Sequence, residues 1–329
     1  MTVFENDAHS AALVRLLDEV AHQGYRFITP TPLTHQRVLN NRGLVAAADL
    51  RDIFGWNLPF SPEILPLVIL EAMHEANVIE QADGLSKSTV RIASLGDMLV
   101  LHSGYPTTQE DAIFFGPDTY RFIRLIDQSF EEFSPQLPVH RILDIGCGSG
   151  AGGLFSAQLL IARGWAKAAD LELVMNDINS QALALTVVNA QAAGITVVPA
   201  KGDALSCVTG SFDLIISNPP YLDDSDERTY RHGGAGLGRA LSVRIVTEAL
   251  SRLAPGGRLV LYTGAAVVAG NDGFLADLKP MLSASGCKWS YEEIDPDIFG
   301  EELERPQYAS AERIAAVGLV VVNATKKGD

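Results

Sequence analysis

The 329 residues contain no uncharged apolar stretch approaching the roughly 18 positions that a membrane-spanning helix needs, although 47% of the chain is hydrophobic. A soluble globular protein with a sizeable core follows, built as one large or two ordinary domains, with no membrane as partner. The opening residues, MTVFENDAHS, carry acids where a signal or transit peptide carries bases, and no apolar segment follows. The expected compartment is the cytoplasm. Cysteine is scarce: Cys147, Cys207 and Cys287 are odd in number, far apart and without CxxC spacing, which argues against a disulfide framework and a zinc centre. All three are expected to be reduced. The seven histidines form no HxxxH or HxH pair, so no metal is expected. Bases are few as well. The formal net charge is −15 and no Lys/Arg run occurs, whereas nucleic-acid affinity rests largely on cations that neutralise phosphates. Acidity therefore disfavours a nucleic-acid partner and favours a protein or small-molecule one.

What is present falls into two patterns. Residues 9–25, 46–56 and 61–79 carry apolar positions at helical spacing, the last opened by Ser61 and Pro62. STVRIAS and DMLVLHS then alternate like strands about a turn at Gly96. Three helices and a hairpin predict a winged-helix-like α+β domain over residues 1–112. Such modules often bind DNA, but residues 1–139 carry a net charge of roughly −9, which favours a substrate-binding or lid role. The stretch GYPTTQEDA (104–112) reads as a linker.

Over residues 113–329, RILDIG, LELVMND, ITVVPAKGD, FDLIISN, GRLVLYTG and AAVGLVVVNA are apolar runs of buried-strand length. Helical segments at 151–163, 179–193 and 240–253 separate them. The expected fold is α/β: a doubly wound, mostly parallel, seven-stranded Rossmann-like sheet with its ligand crevice at the strands' carboxyl ends.

DIGCGSGAGG (144–153) follows the first of these strands. Gly146, Gly148 and Gly150 allow a tight turn and close approach of a ligand to the following helix N-terminus. Gly148, Gly150 and Gly153 also satisfy GxGxxG, so a nicotinamide dinucleotide competes. Asp144 tips the balance, because its carboxylate would repel a pyrophosphate and attract the ammonium of S-adenosylmethionine. Asp177 stands where an acid accepts ribose hydroxyls, which suits either cofactor. Asp203 is placed to accept the adenine amino group, or simply to cap a helix.

LIISNPPYLDD (214–224) leaves the fourth strand through a stiff corner. Pro219 and Pro220 fix φ and remove two donors, and Asn218 is driven towards extended geometry. The Asn218 side-chain oxygen and the Pro219 carbonyl can hold both hydrogens of a planar NH₂ group, and Tyr221 can stack on the acceptor or lie near a sulfonium. Catalysis would then come from positioning and aimed dipoles, without a strong general base.

With these motifs the chain resembles the class I S-adenosylmethionine-dependent methyltransferases that carry an NPPY motif, and among them the release-factor glutamine methyltransferases and their "methyltransferase small domain" relatives. The resemblance covers about 113–329. It implies S-adenosylmethionine as cofactor, held by Phe115 and Thr119 in FFGPDTYRFI, by Asp144, Gly146, Cys147, Gly148 and Gly150 in DIGCGSG, by Asp177 and Ile178 in NDIN, and by Asp203 and Ala204 in GDA. Asn218, Pro219, Pro220 and Tyr221 form the implied catalytic corner, with Asn218 also beside the cofactor. The implied reaction is methyl transfer to a planar amide or exocyclic amine nitrogen, of a protein glutamine or a nucleobase. The N-terminal part departs from the small helical bundle of the release-factor enzymes, which leaves a second reading open. That reading is a small-molecule tailoring enzyme, including one in which the cofactor's own amino group displaces methylthioadenosine. DDSDE (223–227) reads as a solvated acidic loop, and 295–308 as a candidate gate at the pocket mouth.

Overall fold

The computed structural model describes residues 8–43, 46–132, 138–224, 228 and 230–324. The chain divides into two compact units: Met1–Tyr120 with Gly148–Ala151 and Ser180–Thr196, here the N-terminal unit, and Arg121–Cys147 with Gly152–Asn179 and Val197–Asp329, here the sheet unit.

In the N-terminal unit, α1 (Ala8–His22) buries Ala12, Leu13, Leu16, Leu17 and Val20, as their spacing predicts. The polar α2 (Pro32–Arg42) has no apolar stripe and is set by its ends instead. Thr31 accepts from the Thr34 amide at 3.2 Å, Pro32 sits in the first turn, and Gly43 closes the helix in the left-handed region. The helix expected over 46–56 is a single π-helical turn, Arg51–Gly55. The one expected over 61–79 is broken at Pro66: Leu65 before it is extended, leaving a 3₁₀ turn (Pro62–Ile64) and α3 (Leu67–Glu75). Two hairpins follow rather than one. β1 (Ile79–Ala82) and β2 (Leu85–Ser88) turn through Asp83 and Gly84, both at positive φ, and β3 (Val90–Leu95) and β4 (Met98–Ser103) turn at Gly96 as the alternation predicts. The core joins Leu16, Phe54, Phe60, Ile69 and Met73 to Val188 of α6 (Ser180–Ala192).

The sheet unit contains most of α4 (Pro117–Glu132) and α5 (Ala151–Ala162), together with β5 (Arg141–Ile145), β6 (Glu172–Asp177), β7 (Val198–Lys201) and β8 (Phe212–Ser217). Next come α7 (Ala240–Leu250), β9 (Leu253–Val268), β10 (Asn271–Asp272), α8 (Gly273–Ala284), β11 (Lys288–Asp295) and β12 (Arg313–Val322). The sheet order is β7-β6-β5-β8-β9-β12-β11, with the two-residue β10 paired to β9. Neighbours from β7 to β9 are parallel, and β12 runs antiparallel to both β9 and β11. This is the doubly wound, mostly parallel, seven-stranded sheet expected for a class I methyltransferase. Six of its strands come from the apolar runs. The seventh, β11, reads KWSYEEID and is an edge strand with exposed charge, invisible to a search for buried runs. The chain winds outward from β5 to β7 and then returns to β8, so the topological switch lies between β5 and β8, the place where open sheets of this kind take their ligands. All three cysteines are free thiols, and no helix among the described residues is long and apolar enough to cross a membrane.

Phe212 opens β8 fully buried, with the Arg141 and Arg252 guanidinium carbons 4.4 and 5.9 Å from its ring. Phe212→Ala leaves a cavity under that strand and should lower unfolding free energy by about 3–5 kcal/mol. Urea denaturation of the two proteins checks this.

Candidate active site

β5 ends in Asp144 and Ile145, and the chain turns from Gly146 to Gly150 into α5. Gly146, Gly148 and Gly150 have φ of 68°, 55° and 84°, the left-handed region in which a side chain is strained. Among the described residues no heavy atom lies within 4 Å of where a Cβ would stand on Gly146 or Gly148. The space beside those glycines is open. The turn is held by its main chain: the Cys147 amide donates to the Asn176 carbonyl at 2.9 Å, and the Gly148 and Ser149 carbonyls accept from Thr186 and Asn189 at 3.0 and 2.9 Å.

Asp144 is 2% exposed, and its Oδ2 accepts from the Gly153 amide at 2.8 Å in the first turn of α5. Gly153 leaves room on both sides, since a Cβ there would stand 3.2 Å from the Asp144 Oδ2 and 2.6 Å from the Met175 sulfur. Burial pushes the Asp144 carboxyl up to about 7, against the Gly153 hydrogen bond and with help from the Asp177 charge.

At the end of β6 the Asp177 Oδ1 accepts from the Asn179 amide at 2.9 Å, and Ile178 stands 54% exposed, a bare apolar surface beside an acid. Sequence patterning missed Asn176, whose buried amide donates to the Ala200 and Gly202 carbonyls, both at 3.0 Å, and ties β6 to the end of β7. A polar residue inside an apolar run was its only signal. Beyond β7, Ala204 is buried at φ 46°, and the exposed Asp203 carboxylate is bound by Arg244 at 2.8 and 2.5 Å, which holds its pKa below the usual range. An adenine amino group would share that carboxylate with Arg244. Asp203 also precedes the 3₁₀ turn Ala204–Cys207, but its side chain makes no capping bond.

The Ser217 hydroxyl donates to the Ile145 carbonyl at 2.8 Å and fixes the end of β8 against β5. Asn218 is half-buried, and among the described residues neither its side-chain amide nor the Pro219 carbonyl takes part in a hydrogen bond. Tyr221 is 8% exposed and lies over β9, where a Cβ on Gly264 would come within 2.4 Å of its ring; Phe299 is 6.4 Å away between ring centroids. The corner's main chain rests on two more glycines. A Cβ on Gly233 would stand 2.7 Å from the Tyr221 Cα, and one on Gly238 2.1 Å from the Tyr221 carbonyl oxygen. Leu222 exchanges hydrogen bonds with the same loop, donating to the Arg231 carbonyl at 3.0 Å and accepting from the Gly233 amide at 2.8 Å.

The reading of 223–227 as a solvated acidic loop is wrong for Asp224; residues 225–227 lie outside the described residues. The Asp224 side chain is fully buried and faces Arg228 at 2.5 Å, Arg231 at 3.4 Å and Arg305 at 3.9 Å. Glu302 pairs with Arg231 and, at 2.8 Å, with Arg305. The Asp223 amide donates to the Tyr308 hydroxyl at 2.7 Å, and Gln307 donates to the Asp223 carbonyl at 2.8 Å. Segment 295–308 is thus fastened to the exit of the corner by charges that local sequence could not pair.

Asp144, Gly146, Cys147, Asp177, Ile178, Asp203, Ala204 and 218–221 therefore gather at the carboxyl ends of β5 to β8. Gly148 and Gly150 continue the same turn. Phe115 and Thr119 belong to the N-terminal unit: Phe115 is buried against His102 and Tyr120, and the Thr119 amide donates to the Gly116 carbonyl at 3.0 Å. Among the described residues no three His, Cys, Asp or Glu side chains are grouped as metal ligands.

Hydrogen bonding to Arg228 holds Asp224 down at about 2, so the ion cluster contributes stability above the unfolded carboxyl pKa that is lost as pH falls through about 2. Asp224→Asn leaves three arginines around a neutral amide and should cost about 3 kcal/mol at pH 7. The variant should also lose less stability than the parent between roughly pH 4 and 2. Urea midpoints across that range read both effects.

The family model described as the methyltransferase small domain matches residues 126–267. That stretch runs from α4 through β9 and contains the turn at 144–153, Asp177, Asp203 and the 218–221 corner. Ribosomal RNA small subunit methyltransferase C of Pasteurella multocida is 33% identical over 125 residues, 38% of this chain and 33% of its own length. Release factor glutamine methyltransferase of Haemophilus influenzae is 34% identical over 116 residues, 35% of this chain and 40% of its own. The Lactococcus lactis protein of the same name is 29% identical over 161 residues, 45% of this chain and 54% of its own. The alignments thus span from a third to about half of these relatives. Residues 126–267 match the model of the methyltransferase small domain, the family that the motifs resemble.

Proposed function

We propose that the protein is an S-adenosylmethionine-dependent N-methyltransferase acting on a planar nitrogen, a protein glutamine amide or a nucleobase exocyclic amine. The observation that carries this reading is the Asn218 amide, half-buried at the switch point with no hydrogen bond among the described residues and backed by a corner that cannot relax. The relatives' names give one acceptor of each kind, ribosomal RNA and a release-factor glutamine. A net charge of −15 favours the protein acceptor and the cytoplasm suits either. Residues 1–112 would form the substrate or lid domain and 113–329 the catalytic one.

The residues present fit the cofactor. Open space beside Gly146 and Gly148, the exposed Ile178 and the Asp177 carboxylate offer main-chain approach, an apolar surface for adenine and an acceptor for ribose hydroxyls. Cys147, Gly150 and Ala204 would contribute main chain, and Phe115, Thr119 and Asp203 complete the proposed set. When bound, S-adenosylmethionine supplies an electrophilic methyl group on a sulfonium. Asn218 and the Pro219 carbonyl would accept the two hydrogens of the acceptor NH₂, strengthening as positive charge develops on nitrogen. Pro220 stiffens the corner. Tyr221, immobilised on Gly264, would present its ring to the acceptor or the sulfonium.

Incubation of cell lysate with the protein and methyl-labelled cofactor, followed by separation into protein, RNA and small molecules, tests the reading. Label should enter protein or RNA; methylthioadenosine released without acceptor, or no transfer at all, contradicts it. Asn218→Ala should lower kcat by about 10²-fold, with cofactor affinity changed by no more than about 3-fold. Asp144 yields a separate prediction. A cofactor ammonium near this carboxyl would pull its pKa down from about 7, so binding at pH 6 should release a proton. Titration calorimetry in two buffers of different ionisation enthalpy should show that release in the parent and lose it in Asp144→Asn.

A further inference from the structure

An ion taken out of water is costly unless it is paired, and buried charges in folded proteins are accordingly matched. Arg91 on β3, in the N-terminal unit, departs from this. It is 4% exposed, its Nε donates to the Ser103 carbonyl at 3.1 Å, and no carboxylate among the described residues forms an ion pair with it. Burial draws its pKa down to about 10, so it stays charged at neutral pH.

The groups around Arg91 add donors and no acid. Lys87 on β2 donates to the Tyr105 carbonyl at 2.9 Å and likewise lacks a carboxylate partner among the described residues. The Tyr105 ring lies 5.9 Å from the Arg91 guanidinium carbon and stacks on His35 at 4.1 Å. His35 meets the Trp56 carbonyl through Nε2 at 3.0 Å, and its Nδ1 has no hydrogen-bond partner. His102, opposite Arg91 in the β3–β4 register, is fully buried, and the Ser103 main chain is the one polar group that acts on its ring against burial, short of good hydrogen-bond geometry. Burial and the charges of Arg91 and Lys87 hold His35 down at about 4, and burial with Arg91 holds His102 well below its usual value. Both rings are neutral at pH 7.

The chain carries 40 acids, so the lack of one here is not a shortage. The Arg91–Tyr105 approach offsets part of the charge as a cation–π contact. It leaves His35 Nδ1 without a hydrogen-bond partner and the Lys87 charge without a carboxylate among the described residues. A guanidinium fork with a lysine and neutral imidazoles nearby is the complement of an oxyanion, which takes paired N–H donors from arginine and a point charge from lysine. Tyr105 and Lys87 are only half-buried and mark the side from which solvent reaches the cluster. Arg91 itself is too enclosed to meet a polymer backbone.

We propose that Arg91, Lys87, His35 and His102, grouped about Tyr105, form a binding site in the N-terminal unit for a small oxyanion, a carboxylate or a phosphate group. The site is independent of methyl transfer.

Thermal unfolding and titration calorimetry of the full chain with inorganic phosphate or acetate, at ionic strength fixed with chloride, test it. At least one of the two anions should bind saturably, raising Tm by about 5 °C at roughly 100 times its Kd. The responding anion identifies the group. Arg91→Met should lose the saturable response and keep only the non-saturating rise that phosphate gives by exclusion from protein surfaces. Lys87→Met, a change at a half-exposed position, should weaken binding several-fold and serves if the first variant does not fold. No saturable response to either anion in the parent, or an unchanged response in the folded variants, overturns the proposal.

Discussion

Asn218, Pro219 and Pro220 end β8 in a way that prevents the strand from continuing. Two consecutive residues without N–H groups cannot donate to a neighbour, and the half-buried Asn218 amide has no hydrogen-bond partner among the described residues. The rest of the sheet unit serves that corner. Ser217 fixes its start to β5, Gly264 gives the Tyr221 ring a flat seat, and Gly233 and Gly238 let a second loop lie against its main chain. The buried charges of Asp224 and Glu302 then fasten 295–308 to its exit. Rigidity is obtained from all sides, which is what catalysis by aimed dipoles needs, because donors and acceptors that must reorganise during reaction lose most of their effect.

The two ends of the crevice are built on different physics. At the β5 turn much of the polar surface is main chain, glycine conformation sets its direction, and the Asp144 carboxyl is sealed below with its pKa raised to about 7 by burial. At the β8 corner the polar groups are a side-chain amide, a carbonyl and the Tyr221 hydroxyl. An electrophile carried by a charged cofactor suits the first, and a weakly nucleophilic conjugated nitrogen suits the second.

The sheet was legible because buried parallel strands are continuous apolar runs and their crossover helices have the right length. Asp144, the glycines, Asp177 and the NPPY corner were legible because each lies next to a strand end in the sequence. The misreadings have common causes. β11 is charged on an edge, α2 is fixed by caps rather than by an apolar stripe, and Pro66 splits a periodic segment that pattern alone would join. Asp224 reads as solvated although Arg228 and Arg231 follow closely, because the segment with Arg305 that closes over it lies some eighty residues later, and the role of Gly264 depends on a ring more than forty residues earlier. Long-range charge pairing and close packing against glycine leave no mark on local composition.

The proposed function requires that the open space beside Gly146 and the Asn218 amide, both in the sheet unit, bound a single reaction site. A crystal structure of the protein grown with S-adenosylmethionine tests it most directly. The adenosyl group is expected beside Asp177 and Ile178, with main-chain contact at Gly146 and the methyl carbon directed at Asn218. Density for the nucleoside elsewhere, or a methyl group turned away from that amide, would contradict it.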